Sequence, residues 1–387
     1  MYKLLPIICL FVLGCGFAER SSPSQIFPVK QVIMEGLNHP WSIDFISAEE
    51  ALVSEKDGNL LRVNLSTQQK TVIQNLPEDL VDSIRVRFRG DNSGLFEVRL
   101  HPDFAQNQFI YLAYAAKQGG GMTTKIIRAK LVDDALREAQ TVLEASPYTR
   151  EYFHYGGGMC FGEDGKLYIT VSERLFREID SPPLPIAQDV RDKRGKIYRL
   201  NDDGSIPDDN PDFGPDAVPG LFAMGIRAAQ GICVRPGTGE IWFSEHGTIH
   251  GDEINLLQAG ANYGWPIITT GRYRSEDFEP PFIEGADYTD PIWYWKQTVA
   301  PTGLCFYDGP DFPLWQGNLL VPGLSTGSLW RIRLEGQKIK SLEMLFADDP
   351  VRARKVAQAP DGKLYLLTDE DNGKIVRIAP NSDRVSD

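Results

Sequence analysis

The sequence predicts an all-β protein, a six-bladed β-propeller. Three observations carry this. A unit of two short apolar strands joined by a Pro, Asp or Gly turn recurs six times along the 387 residues. A third apolar strand follows most copies, and a spare strand, residues 26–34, precedes the first. Copies recur every 50–75 residues or so, roughly the span of a propeller blade plus its loops. Radial blades leave only short edges exposed, and the spare strand is suited to completing the last blade and closing the ring.

The copies follow in order. Trp41-Ser42-Ile43-Asp44-Phe45 pairs with Ala51-Leu52-Val53, and residues 96–100 turn at His101-Pro102-Asp103 into Phe109-Ile110-Tyr111-Leu112. Met159-Cys160-Phe161 turns at Glu163-Asp164-Gly165 into Leu167-Tyr168-Ile169. Ile232-Cys233-Val234 leads to Ile241-Trp242-Phe243, and Leu304-Cys305-Phe306 to Leu319-Leu320-Val321. Val356-Ala357-Gln358 turns at Pro360-Asp361-Gly362 into Leu364-Tyr365-Leu366. Cys160, Cys233 and Cys305 share one place in the repeat, which reads as small core residues and not as a disulfide framework. Residues 128–143 are charged and helix-compatible but read as strand plus loop. Three long connections, residues 173–193, 202–222 and 271–286, exceed the length of an ordinary loop and are expected to wall the mouth of the central channel.

The composition is 42% hydrophobic and 24% charged, enough for a large core, with the propeller assigned to residues 26–380 and a tail to 381–387. A formal charge of −13 argues against nucleic acid as a partner. The N-terminus, MYKLLPIICLFVLGCGFAER, reads as a signal peptide over residues 1–18 followed by a polar tether over 19–25. Gly16-Phe17-Ala18 offers one cleavage site, and Val12-Leu13-Gly14-Cys15 offers a lipoprotein-type site that would anchor the chain through Cys15. Either implies an exported protein, periplasmic or lipid-anchored at the cell envelope.

The most informative stretch is WFSEHGTIHGDEINLLQAGANYGWP, residues 242–266. A strand breaks into a Gly-punctuated loop, then adjacent acids Asp252 and Glu253, then a second loop. Carboxylates beside Gly-rich backbone suit a hard cation, and equally suit a solvated loop. This wording resembles the signature loop of the soluble pyrroloquinoline quinone (PQQ) sugar dehydrogenases, the glucose/sorbosone dehydrogenase family. The segments HYGG at 154–157, AQDVRDKRGKIYRLNDDGSIPDDNP at 187–211, 299–330 and 359–371 carry the same resemblance, which spans residues 37–379 or so.

The resemblance implies an oxidoreductase acting on an aldose or related sugar alcohol, with PQQ and calcium as cofactors and a separate electron acceptor as partner. It implies His154 as general base and Glu173 as the acid that orients it. It implies Arg227, Arg352 and Arg354 as forks for the three PQQ carboxylates; alternation along a strand puts the latter two on one face. The backbone carbonyls of Gly247 and Thr248 would hold the cofactor's calcium, and Glu253 and Tyr263 a second, structural calcium. The sequence also departs from the family pattern. Gly158 replaces an Arg, Ile226 and Ala228 a His and an Asn, Thr248 a Pro and Ser325 a Lys, and the turn at residues 91–94 is altered. Arg174, Arg177 and Lys355 are nearby cations that could compensate. The rival reading is a non-catalytic propeller that binds carbohydrate or protein and has lost PQQ. A metal-dependent hydrolase or lactonase would need more cation-facing acids than Glu173 and Glu253.

Overall fold

The computed structural model describes residues 26–81 and 91–385. The leader, the tether and Cys15 lie outside the described residues. Six four-stranded antiparallel sheets are present. Their inner strands are Pro40–Phe45, Leu95–Leu100, Gly156–Phe161, Ala229–Val234, Cys305–Tyr307 and Ala353–Gln358. The predicted six-bladed propeller is therefore the observed architecture.

Second strands such as Leu167–Val171, Ile241–Glu245 and Leu364–Thr368 are buried along their whole length. Each is sandwiched between neighbouring blades, so both faces must be apolar, and the sequence shows a continuous run instead of alternation. Blade-to-blade packing supplies the core. One cluster joins Phe96, Tyr111 and Ile126 of the second blade to Met159, Ile169 and Tyr198 of the third. Outermost strands are polar where they meet water: Lys338–Leu345 carries Lys338, Lys340 and Glu343, charges that discourage edge-to-edge pairing.

The ring closes as the spare strand suggested. Ile26–Leu37 pairs antiparallel with Gly373–Val385, with Lys30 opposite Ile378 and Val32 opposite Val376. This sixth blade mixes the two ends of the chain. Three expectations need correction. Residues 381–385 continue the closing strand, up to Val385 opposite Ile26, so the tail is shorter than expected. Residues 128–143 contribute to two paired strands, Gly121–Val132 and Ala135–Glu144, with the connection confined to the tight turn between them. Residues 202–222 do not wall the mouth that holds His154. Asp202 pairs with Arg128, and Asp209 with Arg199 at the far end of its strand, near the turn at Asp164.

Cys160, Cys233 and Cys305 sit on the inner strands of three successive blades and are free thiols. Cys160 is buried, whereas Cys233 and Cys305 keep partial exposure to a cavity of about 630 Å³ at the far end of the axis. Burial pushes the Cys160 and Cys305 thiols up to about 12, so they stay protonated and inert. Between that cavity and the opposite mouth, Lys355 Nζ reaches across the axis to Glu97 Oε1 at 2.7 Å, with both side chains almost fully buried. Arg99 donates to the same carboxylate oxygen at 2.7 Å. Glycine is required at position 303 for this crossing, because a Cβ there would lie 2.2 Å from Lys355 Cδ.

Candidate active site

At the end of the axis opposite the cysteines, the ends of several blades surround a cavity of about 190 Å³. His154, Gln230, His246, Ser325, Arg352 and Arg354 line it, with Trp41 and Asn92. A smaller pocket adjoins it at His246 and is bordered by Arg227, Glu245, Gly247, Glu253, Tyr263 and Trp265. Of the residues expected from sequence, His154, Arg352 and Arg354 thus meet in one cavity, and Arg227, Gly247, Glu253 and Tyr263 surround the next.

His154 lies just before the third blade's inner strand with φ of 50°, and its Nδ1 is buried without a hydrogen-bond partner. Burial, helped by the charges of Arg227 and Arg274, holds the imidazole well below its ordinary value. It is therefore neutral at pH 7 and able to accept a proton. Glu173 does not play the expected part beside it. No hydrogen bond joins Glu173 to His154 among the described residues. Glu173 is buried near Arg227, Glu178 and Trp265, and burial pushes its carboxyl up to about 8. A carboxylic acid that is neutral at pH 7 cannot serve as the anionic partner of an imidazole. The backbone of Leu175 favours the protonated imidazole but does not outweigh burial.

Arg352 Nε and Arg354 Nη2 share one oxygen of Asp369, at 2.9 and 2.6 Å. Burial alone would raise Asp369, but Arg354, His39 and Arg352 hold it well below the usual carboxylate range. Arg354 also stacks over Trp41, 4.0 Å from the ring centre. One carboxylate against two guanidiniums leaves the pair with a net positive charge, and Arg354 Nε has no partner. Arg227 donates Nη1 to the carbonyls of Gly247 and His246, at 2.6 and 3.1 Å, while its Nε and Nη2 are buried without partners. Buried guanidinium N–H groups without acceptors suit an anionic ligand. The quinone's carboxylates fit this set of donors.

The same comparison fails for the cofactor's calcium. The Gly247 carbonyl already accepts from Arg227, and the Thr248 carbonyl accepts from Arg274 Nη2 at 2.8 Å. Asp252, the obvious acid of the loop, spends Oδ1 on the Gly247 N–H and Oδ2 on the N–H groups of Val299 and Ala300. It braces the loop and does not face a ligand.

The second pocket is different. Glu245 and Glu253 are direct cross-strand partners, both largely buried. Burial raises both carboxyls, with the charge of Glu253 adding to the rise of Glu245 and that of Asp252 to the rise of Glu253. Glu253 accepts from Thr270 Oγ1 at 2.7 Å, and the Tyr263 hydroxyl donates to Leu256 O at 2.6 Å. Among the described residues no group of three or more His, Cys, Asp or Glu side chains converges. A cation here would rely on two carboxylates and backbone oxygens, which suits calcium better than a soft metal.

None of the three compensating cations enters the main cavity. Arg174 donates to the carbonyls of Phe153, Met122 and Glu151 and lies 3.7 Å over the Tyr155 ring. Arg177 pairs with Asp180 on the surface, and Lys355 with Glu97 on the axis. Sequence reasoning missed Glu245, Asp369 and Arg274. A signal existed for the first two. The second strand of four blades ends on, or runs straight into, a hydroxyl residue and then an acid: Ser54-Glu55, Ser172-Glu173, Ser244-Glu245 and Thr368-Asp369. All four acids are buried.

Residues 37–377 match the sequence profile of the family described as Glucose / Sorbosone dehydrogenase. The chain belongs to that family. Among curated relatives, Aldose sugar dehydrogenase YliI of Escherichia coli is 32% identical over 391 residues, covering 98% of this chain and 99% of its own length. Quinoprotein glucose dehydrogenase B of Acinetobacter calcoaceticus is 27% identical over 472 residues, covering 98% and 95%. Among solved structures, the soluble aldose sugar dehydrogenase of E. coli in its apo form superposes with a TM-score of 0.81 at 32% identity, over 92% of this chain and 100% of that one. This member of the glucose/sorbosone dehydrogenase family keeps the full propeller of its relatives, and no described helix is long and apolar enough to cross a membrane.

Proposed function

We propose that the protein is an exported quinoprotein dehydrogenase that oxidises an aldose or related sugar alcohol at the His154 cavity, passing electrons to a separate acceptor. The observation that carries this reading is a neutral, buried imidazole beside buried guanidinium N–H groups that lack acceptors. PQQ, when bound, supplies the two-electron acceptor that no side chain of the site can provide. Arg227, Arg352 and Arg354 hold its carboxylates. His154 accepts the proton of the substrate hydroxyl, a role that requires hydrogen-bond reach and an unprotonated ring. Trp41 and the neighbouring blade ends keep bulk water from the buried side of the cavity. Calcium is assigned to the pocket between Glu245 and Glu253, bordered by Tyr263, where a divalent ion relieves the repulsion of two buried carboxylates. The apolar leader supports export, and Cys15 supports a lipid anchor, which metabolic labelling with a fatty acid tests by appearing or failing to appear on the chain.

The test of the reading is PQQ binding by calorimetry, followed by dye-linked oxidation across a panel of aldoses. Binding with turnover is expected. Binding of neither PQQ nor activity on any sugar overturns it in favour of a non-catalytic propeller.

A further inference from the structure

The loop carbonyls of Gly247 and Thr248, which the family resemblance assigns to the cofactor's calcium, are both occupied by guanidinium groups. Arg227 Nη1 lies 2.6 Å from Gly247 O, and Arg274 Nη2 lies 2.8 Å from Thr248 O. A calcium ion sits 2.3–2.6 Å or so from its oxygen ligands. The two guanidiniums therefore stand where such an ion would stand, with the same sign of charge.

Arg274 is held there by more than this one bond. Glu178, itself buried, accepts from the backbone N–H groups of Arg274 and Ser275 at 3.1 and 3.2 Å. The Arg274 guanidinium lies 4.5 Å over the Phe176 ring. Thr248 Oγ1 donates to Arg272 O at 2.9 Å, tying the loop of residues 246–251 to the segment that carries Arg274. The side chain is thus positioned by two walls of the mouth, residues 173–193 and 271–286. Thr248 takes part through its hydroxyl. Of the nearby acids, Asp252 is spent on three backbone N–H groups and Glu178 Oε2 on two, while Glu178 Oε1 is buried without a partner and adds a carboxylate counter-charge on the Arg274 side.

Resting on the quinoprotein reading, we propose that the guanidinium of Arg274, beside that of Arg227, is the resident cation of this site, so that the anionic quinone binds without calcium at the Gly247 and Thr248 carbonyls. A guanidinium has five N–H donors. Arg274 spends one on Thr248 O, and Arg227 has two buried donors without partners. The remaining donors can meet the oxygens of an anionic ligand on the side away from the loop, linking loop to ligand as a bridging metal would. An arginine is always charged, so the site needs no metal to be loaded.

The experiment titrates apo protein with PQQ by calorimetry, once with excess EGTA and once with millimolar calcium, and counts calcium per chain by elemental analysis before and after loading. In the calcium buffer the count separates this site from the Glu245–Glu253 pocket, whose ion would be present both before and after loading. Expected are affinities equal within about twofold in the two buffers, since no metal enters the equilibrium. The calcium content should not change on loading. In Arg274→Ala, with an unchanged near-UV CD spectrum, PQQ affinity in EGTA should fall by about tenfold or more, the loss of one charge-assisted hydrogen bond. Added calcium should restore part of it, because the Thr248 carbonyl is freed. Wild-type binding only in calcium, a gain of one calcium per PQQ, or an Arg274→Ala variant with wild-type affinity in EGTA would each overturn the proposal. No PQQ binding in either buffer overturns the quinoprotein reading along with it.

Discussion

The unprotonated state of His154 rests on burial and on a ring of guanidiniums, not on an acid behind it. On the proposed chemistry, His154→Ala should lower kcat by about 10²-fold or more, the usual worth of a positioned general base, and leave PQQ affinity near wild type. Arg352→Ala combined with Arg354→Ala should show the reverse pattern, a weaker PQQ Kd, since those groups act in the bound ground state. Glu173 gives a separate signature. Its folded-state value of about 8 lies above its ordinary 4.5, so the folded protein keeps a proton that the unfolded chain releases. The stability this represents is full below pH 4.5 or so and is lost as pH rises through about 8, at a slope of at most about 1.4 kcal/mol per pH unit. Glu173→Gln should flatten the fall in melting temperature between pH 5 and 8; an unchanged profile would assign the slope elsewhere. His154 and the arginines were legible in the sequence because the wording around each is long and specific. Glu173 was misassigned because a motif gives position in the chain, while its partner is set by which neighbouring blade its side chain meets, here Arg227 of the next blade.

At the scale of the strand, the two acids opposite one another on neighbouring strands of the fourth blade form a unit. Glu253 was readable as one half, but Glu245 becomes its partner only through the register that sets residue 245 against 253. If calcium sits between them, millimolar calcium should raise the melting temperature by several degrees relative to EGTA, by mass action on the folded state. Glu245→Gln or Glu253→Gln should abolish that shift. A melting temperature indifferent to calcium in the wild type would remove the ion from this pocket. The buried Lys355–Glu97 pair makes a contrasting case. Lys355→Met leaves Glu97 in the interior with only Arg99, at a cost on the order of 3 kcal/mol, readable from denaturant midpoints. Pairing Lys355→Met with Glu97→Gln should recover part of the loss. The inner strands that carry this pair were visible as repeats. The pair itself was not, since 258 residues separate its members and only ring closure makes them neighbours.

For the whole molecule, closure by the first strand is the feature most fully legible in advance: six copies plus one spare leave a single arrangement without a long free edge. The length of the closing strand was underread, because the polar residues after Ala379 carry no apolar signal while their backbone still pairs. A chain lacking residues 26–37 should expose the edge of the sixth blade and lose soluble yield, measured against full-length mature protein. The placement of residues 202–222 away from the mouth was not readable, since length marks a loop as unusual without saying at which end of a strand it emerges. The plug of Glu97, Arg99 and Lys355 has a kinetic consequence. The cavity at His154 and the larger one at the cysteines share no lining residue. On the proposed chemistry, the buried Lys355–Glu97 pair would leave the His154 cavity open at its own mouth alone. On that reading an oxidised sugar leaves through the same doorway by which the next one arrives, so added product should slow steady-state turnover of the substrate.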